Sequence, residues 1–104
     1  MERIAFKMKL KPGCVAEYKK RHDEIWPELK SLLQKSGIQD YSIFFDEETR
    51  SLFAVQKVAG SGGSQDLGKN EIVRKWWDYM ADIMETNSDQ SPVTVPLEEV
   101  FYMA

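Results

Sequence analysis

The sequence predicts an α+β fold in which an antiparallel sheet carries two helices on one face. Three observations predict it. The first segment alternates apolar and polar residues, two later segments repeat apolar residues every three or four positions, and a pair of aromatic-rich segments is joined by a short polar turn. Period two marks a half-buried strand and period 3.6 an amphipathic helix, so these patterns place the elements in order.

Residues 3–10 put Ile4, Phe6, Met8 and Leu10 on one face and Arg3, Ala5, Lys7 and Lys9 on the other, and Pro12-Gly13 ends the strand. The stripe Val15, Tyr18, His22, Ile25, Trp26, Leu29, Leu32 and Leu33 then describes a helical face. Pro27 sits within it and disfavours helix at Trp26, which predicts a kink or two abutting helices with Pro27 opening the second. Gly37 suits the left-handed residue that follows a helix.

Residues 38–45 and 51–58 read as a β-hairpin across the polar connection 46–50. Glycine and serine dominate residues 60–64, and residues 60–68 as a whole read as a mobile loop that adds little to the core. A second helix starts near Asn70, a good N-cap, with Ile72, Val73, Trp76, Trp77, Met80, Ile83 and Met84 as its apolar stripe. Residues 87–96 form a loop holding Pro92 and Pro96, and residues 97–103 a last strand. The order β-α-β-β-α-β is the ferredoxin-like arrangement.

At 104 residues the chain suits a single domain spanning 1–104. Phe44, Phe53, Val55 and Phe101 lie on the opposite strand parity to Ile43, Leu52, Ala54 and Val100, so both sheet faces are partly apolar. Helices cover only one of them. A homodimer joined through the other, a dimeric α+β barrel, is the expected assembly.

The formal net charge is −3 and the basic residues are scattered, which argues against nucleic acid as a partner. No run approaches the roughly 20 apolar residues of a membrane span, and the first residues do not read as a signal peptide. The one cysteine, Cys14, has no second thiol to pair with, which points to the cytoplasm.

His22 is the only histidine, and Tyr18 precedes it by one helical turn. It reads either as a packed core-edge residue or as an acid/base group working near neutral pH, with Tyr18 as a second proton-bearing group beside it. Trp76 and Trp77 read as core, or as indoles lining a pocket whose flat faces suit the C–H face of a sugar. Trp26 has the same two readings. Tyr41 is either a packing residue or a hydroxyl placed in a cleft. The charged runs 19–21 and 46–48 read as solvated surface. No His/Cys metal site and no phosphate-binding glycine pattern is present, so no cofactor or metal is expected.

One longer pattern goes further. The run Tyr18-Lys19-Lys20-Arg21-His22-Asp23-Glu24-Ile25-Trp26-Pro27-Glu28-Leu29 resembles the signature of the L-rhamnose mutarotase family. Tyr41-Ser42-Ile43, Trp76-Trp77-Asp78-Tyr79-Met80, Ser91-Pro92-Val93 and Leu97-Glu98-Glu99-Val100-Phe101-Tyr102 agree with it, so the resemblance covers nearly the whole chain. It implies a dimeric α+β barrel that interconverts the anomers of L-rhamnose without a cofactor. It implies His22 as proton donor and Tyr18, Tyr41, Trp76 and Trp77 as sugar-binding residues. The resemblance departs at residues 60–68, where a more helical, tryptophan-containing segment is usual.

Mutarotation opens the pyranose ring by protonating the ring oxygen and deprotonating the anomeric hydroxyl. On this reading His22 supplies the proton, and Tyr18 or a water takes the other. A non-catalytic ligand-binding module and a cofactor-free monooxygenase on the same fold are the alternatives.

Overall fold

The computed structural model describes residues 1–60 and 62–104; Ser61, part of the expected glycine-serine loop, lies outside them. The fold is α+β. Its elements are β1 (Glu2–Lys9), α1 (Val15–Asp23), α2 (Pro27–Lys35), β2 (Ile38–Asp46), β3 (Ser51–Val58), α3 (Glu71–Met80) and β4 (Val95–Leu97), with a short 3-10 turn at Ser64–Asp66. The four strands pair antiparallel in the order β2-β3-β1-β4.

Pro27 divides the first helical stripe into α1 and α2, as expected. Trp26 is extended, with φ −59° and ψ 129°, which is the conformation a residue before proline is pushed into. Gly37 follows α2 with φ 85° and its N–H donates to the carbonyl of Gln34. That left-handed backbone explains the glycine. Asn70 caps α3 by accepting the N–H of Ile72 at 3.0 Å.

The core lies between the helices and one sheet face. Phe6 and Met8 of β1 pair with Ala54 and Leu52 of β3, which pair in turn with Ile43 and Phe45 of β2. These side chains meet Tyr18, Leu29, Val73, Trp76, Trp77 and Met80 from the helices. The opposite face holds half-buried Phe53 and Val55, with Phe44 66% exposed. Both strand parities are thus apolar, and the helices cover one.

Near the start of β2 the register shifts between Gln39 and Ser42. Asp40 takes φ 48°, and Asp40 and Tyr41 together stand opposite Gln56. This β-bulge reverses the alternation. Ile38 is buried from an even position, whereas Tyr41, Ile43 and Phe45 join the core from odd ones.

Three expectations are corrected. The second helix stops at Met80; Ile83 and Met84 stay buried, but they reach the core from a turn, with Ile83 N–H donating to Met80 O and Met84 bridging Leu10. The last strand is Val95–Leu97 and not residues 97–103. Leu97 pairs with Ala5, which leaves little of β1 for a longer partner, and Arg3 instead lies over the Tyr102 ring at 3.6 Å and pairs with Glu99. Val100, Phe101 and Met103 are exposed. Third, the segment after β3 is not idle loop. Ser64 is buried and hydrogen-bonded to Gln56, and a Cβ on Gly63 would come within 2.5 Å of both Gln56 Oε1 and Ile4 Cδ1.

Candidate active site

A cleft of about 1090 Å³ opens between α1, α3 and the sheet, and its walls include Tyr18, His22, Tyr41, Trp76 and Trp77. All five residues singled out from the sequence meet there. Trp26 stands just behind, edge-on to Trp76 with 5.0 Å between ring centroids.

On α1, the helical spacing of four stacks the Tyr18 and His22 rings, with centroids 4.2 Å apart and planes 29° from parallel. His22 Nδ1 lies 3.0 Å from the backbone carbonyl oxygen of Tyr18. A carbonyl only accepts, so Nδ1 carries the proton and the neutral ring leaves Nε2 with its lone pair. Burial pushes the imidazole below its ordinary value of 6.5, and the Tyr18 carbonyl and the Asp23 charge offset this only in part. At neutral pH His22 therefore rests as imidazole.

The two tyrosines behave alike. Burial pushes the Tyr18 phenol far up, with nearby Tyr41 adding to the shift. Burial also raises Tyr41, partly offset by Ser64 and Gln56. Both stay protonated at neutral pH, so they are hydrogen-bond donors and poor bases.

α3 contributes the indoles. Trp76 and Trp77 are each 8% exposed, and Trp76 meets the His22 ring edge-on at 5.4 Å. Trp26 stacks on Tyr79 at 5.6 Å, which completes an aromatic wall behind the cleft. Core packing and pocket lining are thus not alternatives here, because Trp76 and Trp77 do both.

The sequence reading missed two features. Ser64 and Gln65, in the segment expected to be idle, line the cleft. Gln56 holds Ser64 in place through two hydrogen bonds, its Oε1 accepting from Ser64 N–H at 2.9 Å and its Nε2 donating to Ser64 Oγ at 2.7 Å. The signal was in β3, where a glutamine interrupts the core-facing series Leu52, Ala54, Gln56, Val58. A buried polar side chain requires a partner.

The second is Arg21. The run 19–21 was expected to be solvated, yet the Arg21 side chain is only 10% exposed. It bonds Glu17 at 2.8 Å, the Tyr79 carbonyl at 2.8 Å and both carboxylate oxygens of Asp82 at 2.9 and 3.3 Å. It also lies over the Tyr79 ring at 4.4 Å. Arginine thereby ties α1 to the end of α3, the two walls that carry His22 and Trp76.

Among the described residues no group of three or more His, Cys, Asp or Glu side chains is placed to hold a metal ion. Around the aromatic residues the polar lining of the cleft is one imidazole, the phenols of Tyr18 and Tyr41, the Ser64 hydroxyl and the Gln65 amide, with Lys19, Asp23, Lys30, Gln34, Gln39 and Asp40 also among its walls. Fold and cleft together define a small α+β protein with an aromatic-walled cleft that holds one histidine, a group suited to proton transfer. The model of the L-rhamnose mutarotase family matches residues 3–103. An L-rhamnose mutarotase of Formosa agariphila is 68% identical over 103 residues, covering 99% of each chain, and one of Bacteroides thetaiotaomicron is 69% identical with the same coverage. A crystal structure of an L-rhamnose mutarotase from Formosa agariphila superposes with a TM-score of 0.93 at 62% identity, over the whole of both chains. The chain belongs to the L-rhamnose mutarotase family.

Proposed function

We propose that this chain is a carbohydrate isomerase that interconverts the α and β anomers of L-rhamnose by general acid–base catalysis without a cofactor. The observation that carries this reading is the meeting of His22, Tyr18, Tyr41, Trp76 and Trp77 in one cleft of a family member. His22 is the proton-transfer group. Its resting neutral form supports a route in which Nε2 takes the proton of the anomeric hydroxyl and then delivers it to the ring oxygen. Both oxygens are bonded to the same carbon, so one imidazole serves them in turn, and neither tyrosine has to act as base. Tyr18 and Tyr41 donate hydrogen bonds to the sugar, and the indoles of Trp76 and Trp77 lie against its apolar surface.

Residues 1–104 work as one domain on this reading, supported by the single sheet and the reach of the family match. The strand order supports the ferredoxin-like description. The uncovered apolar sheet face supports a homodimer. No helix among the described residues is long and apolar enough to cross a membrane, and the lone Cys14 supports a cytoplasmic, reducing setting.

NMR saturation transfer between the two anomeric protons of L-rhamnose tests the activity directly. Catalytic amounts of protein should raise the exchange rate well above that of buffer, with no oxygen consumed. Exchange at the buffer rate rejects the mutarotase, and oxygen uptake indicates a monooxygenase instead.

A further inference from the structure

Among the described residues one buried side-chain polar atom has no hydrogen-bond partner, and it belongs to a residue that lines the cleft. Gln65, in the short turn after β3, lines the cavity beside Ser64, Tyr41, Tyr18 and His22. Its Nε2 donates to Ser64 Oγ at 3.2 Å. Its Oε1 is closed off from water and, among the described residues, accepts no hydrogen bond. Buried polar atoms are almost always paired, so this one needs a reason.

The neighbouring bonds supply it. Gln56 is fixed first, because its Oε1 accepts the Ser64 backbone N–H at 2.9 Å and its Nε2 is thereby turned to Ser64 Oγ at 2.7 Å. Ser64 Oγ then accepts from both amides, Gln56 and Gln65, which uses its two lone pairs. Its single proton goes to Tyr41 Oη at 3.5 Å. The phenolic proton of Tyr41 is left to donate. The network therefore ends in one donor, Tyr41 Oη–H, and one acceptor, Gln65 Oε1, both linked to the same serine oxygen. A hydroxyl, which donates and accepts at once, is the ligand group that completes it.

We propose that Gln65 is a specificity-determining residue whose Oε1 accepts a hydrogen bond from one non-anomeric hydroxyl of the sugar, opposite the donor Tyr41. The inference rests on the mutarotase reading. The terminal amide torsion of glutamine is broad and not locked into a staggered well, so an incoming hydroxyl can draw Oε1 from its closed position into the cleft. A sugar lacking that hydroxyl leaves the acceptor unpaired. A site built to bond a hydroxyl discriminates strongly on that ground.

The test is anomer exchange, with kcat and KM measured for L-rhamnose and for the series of analogues that each lack one non-anomeric ring hydroxyl. The wild-type protein should handle one member of the series about tenfold to a hundredfold less efficiently in kcat/KM, as expected for a lost bond to a buried partner. Gln65→Met keeps the length and removes both polar atoms. It should lower L-rhamnose by a similar factor and leave that one analogue unchanged. Gln65→Glu, which keeps the acceptor, should preserve the discrimination, and Gln65→Leu replaces the Met variant if that one does not fold. Equal losses for every sugar, or no loss for any, overturn the proposal while leaving the mutarotase reading intact. Absence of L-rhamnose exchange in the wild-type protein overturns both.

Discussion

His22 is held by Tyr18 in two ways at once. The imidazole Nδ1 donates to the Tyr18 carbonyl at 3.0 Å, and the two rings stack at 4.2 Å. The first fixes the tautomer and the second the plane of the ring, so Nε2 is the nitrogen left for chemistry. Burial holds the group below the ordinary histidine range.

A pH dependence follows with a definite sign. On the proposed route the working form is the neutral imidazole, so exchange should fall as pH drops, with a midpoint below 6.5. Stability should move the same way. The unfolded chain takes up its proton first, near pH 6.5, so the contribution of His22 is complete above that value and is lost as pH falls toward the lowered folded value. His22→Asn should abolish the acid limb and reduce exchange by about 10²-fold or more, the range of general acid–base catalysis. Sugar binding, read by tryptophan fluorescence, should stay within about tenfold, since one hydrogen bond contributes about 1 kcal/mol net. A folded His22→Asn variant exchanging anomers at the wild-type rate would falsify the assignment.

Arg21 should matter more than a surface arginine. Replacement by Met removes its bonds to Asp82, Glu17 and the Tyr79 carbonyl, and with them the link from α1 to α3. Asp82 and Glu17 are themselves exposed, so solvent screening limits the loss to about 1–2 kcal/mol in urea denaturation. Arg21→Lys should recover only part, because an ammonium cannot reproduce the fork that grips both Asp82 oxygens. An unchanged unfolding midpoint in Arg21→Met means that the link contributes nothing.

What was legible in the sequence depended on whether the cause was local. Pro27 and Gly37 act on their own backbone, and Asn70 acts two residues away, so the two-piece first helix and the start of α3 could be read directly. Tyr18, His22, Trp76 and Trp77 were legible through periodicity and resemblance together. The bulge at Asp40 was not, since it depends on how β2 meets β3. Gln56, Ser64 and Arg21 depend on partners distant in sequence or on a buried polar site. Composition alone made Gly63 and Ser64 look like flexible linker, when their small size is what lets the segment close against Gln56 and Ile4.

That difference separates two glycines three residues apart. A Cβ at Gly60 meets nothing within 4 Å, whereas one at Gly63 meets Gln56 Oε1 and Ile4 Cδ1 at 2.5 Å. Gly60→Ser should leave stability within about 0.5 kcal/mol of wild type. Gly63→Ser should cost about 1–3 kcal/mol, as overpacking does, and should disturb the Gln56–Ser64 bonds as well. Chemical denaturation of the two variants side by side decides it. Equal midpoints return the whole segment to the status of linker.

The proposed homodimer rests on the sheet face that the helices leave uncovered. Phe44 is 66% exposed there, on the edge strand β2, beside half-buried Phe53 and Val55. Phe101 and Met103 add exposed apolar surface in the tail after β4. Sedimentation at micromolar concentration should give twice the chain mass. Phe44→Lys places a charge on that face without touching the core, so far-UV circular dichroism should be unchanged. Burying one phenylalanine is worth about 1.5–3 kcal/mol, so its removal from the interface should weaken dimerisation by about tenfold or more. A wild-type protein that sediments as a single chain while exchanging anomers at full rate removes the dimer from the account. A Phe44→Lys variant as dimeric as wild type keeps the dimer but moves its interface off this face.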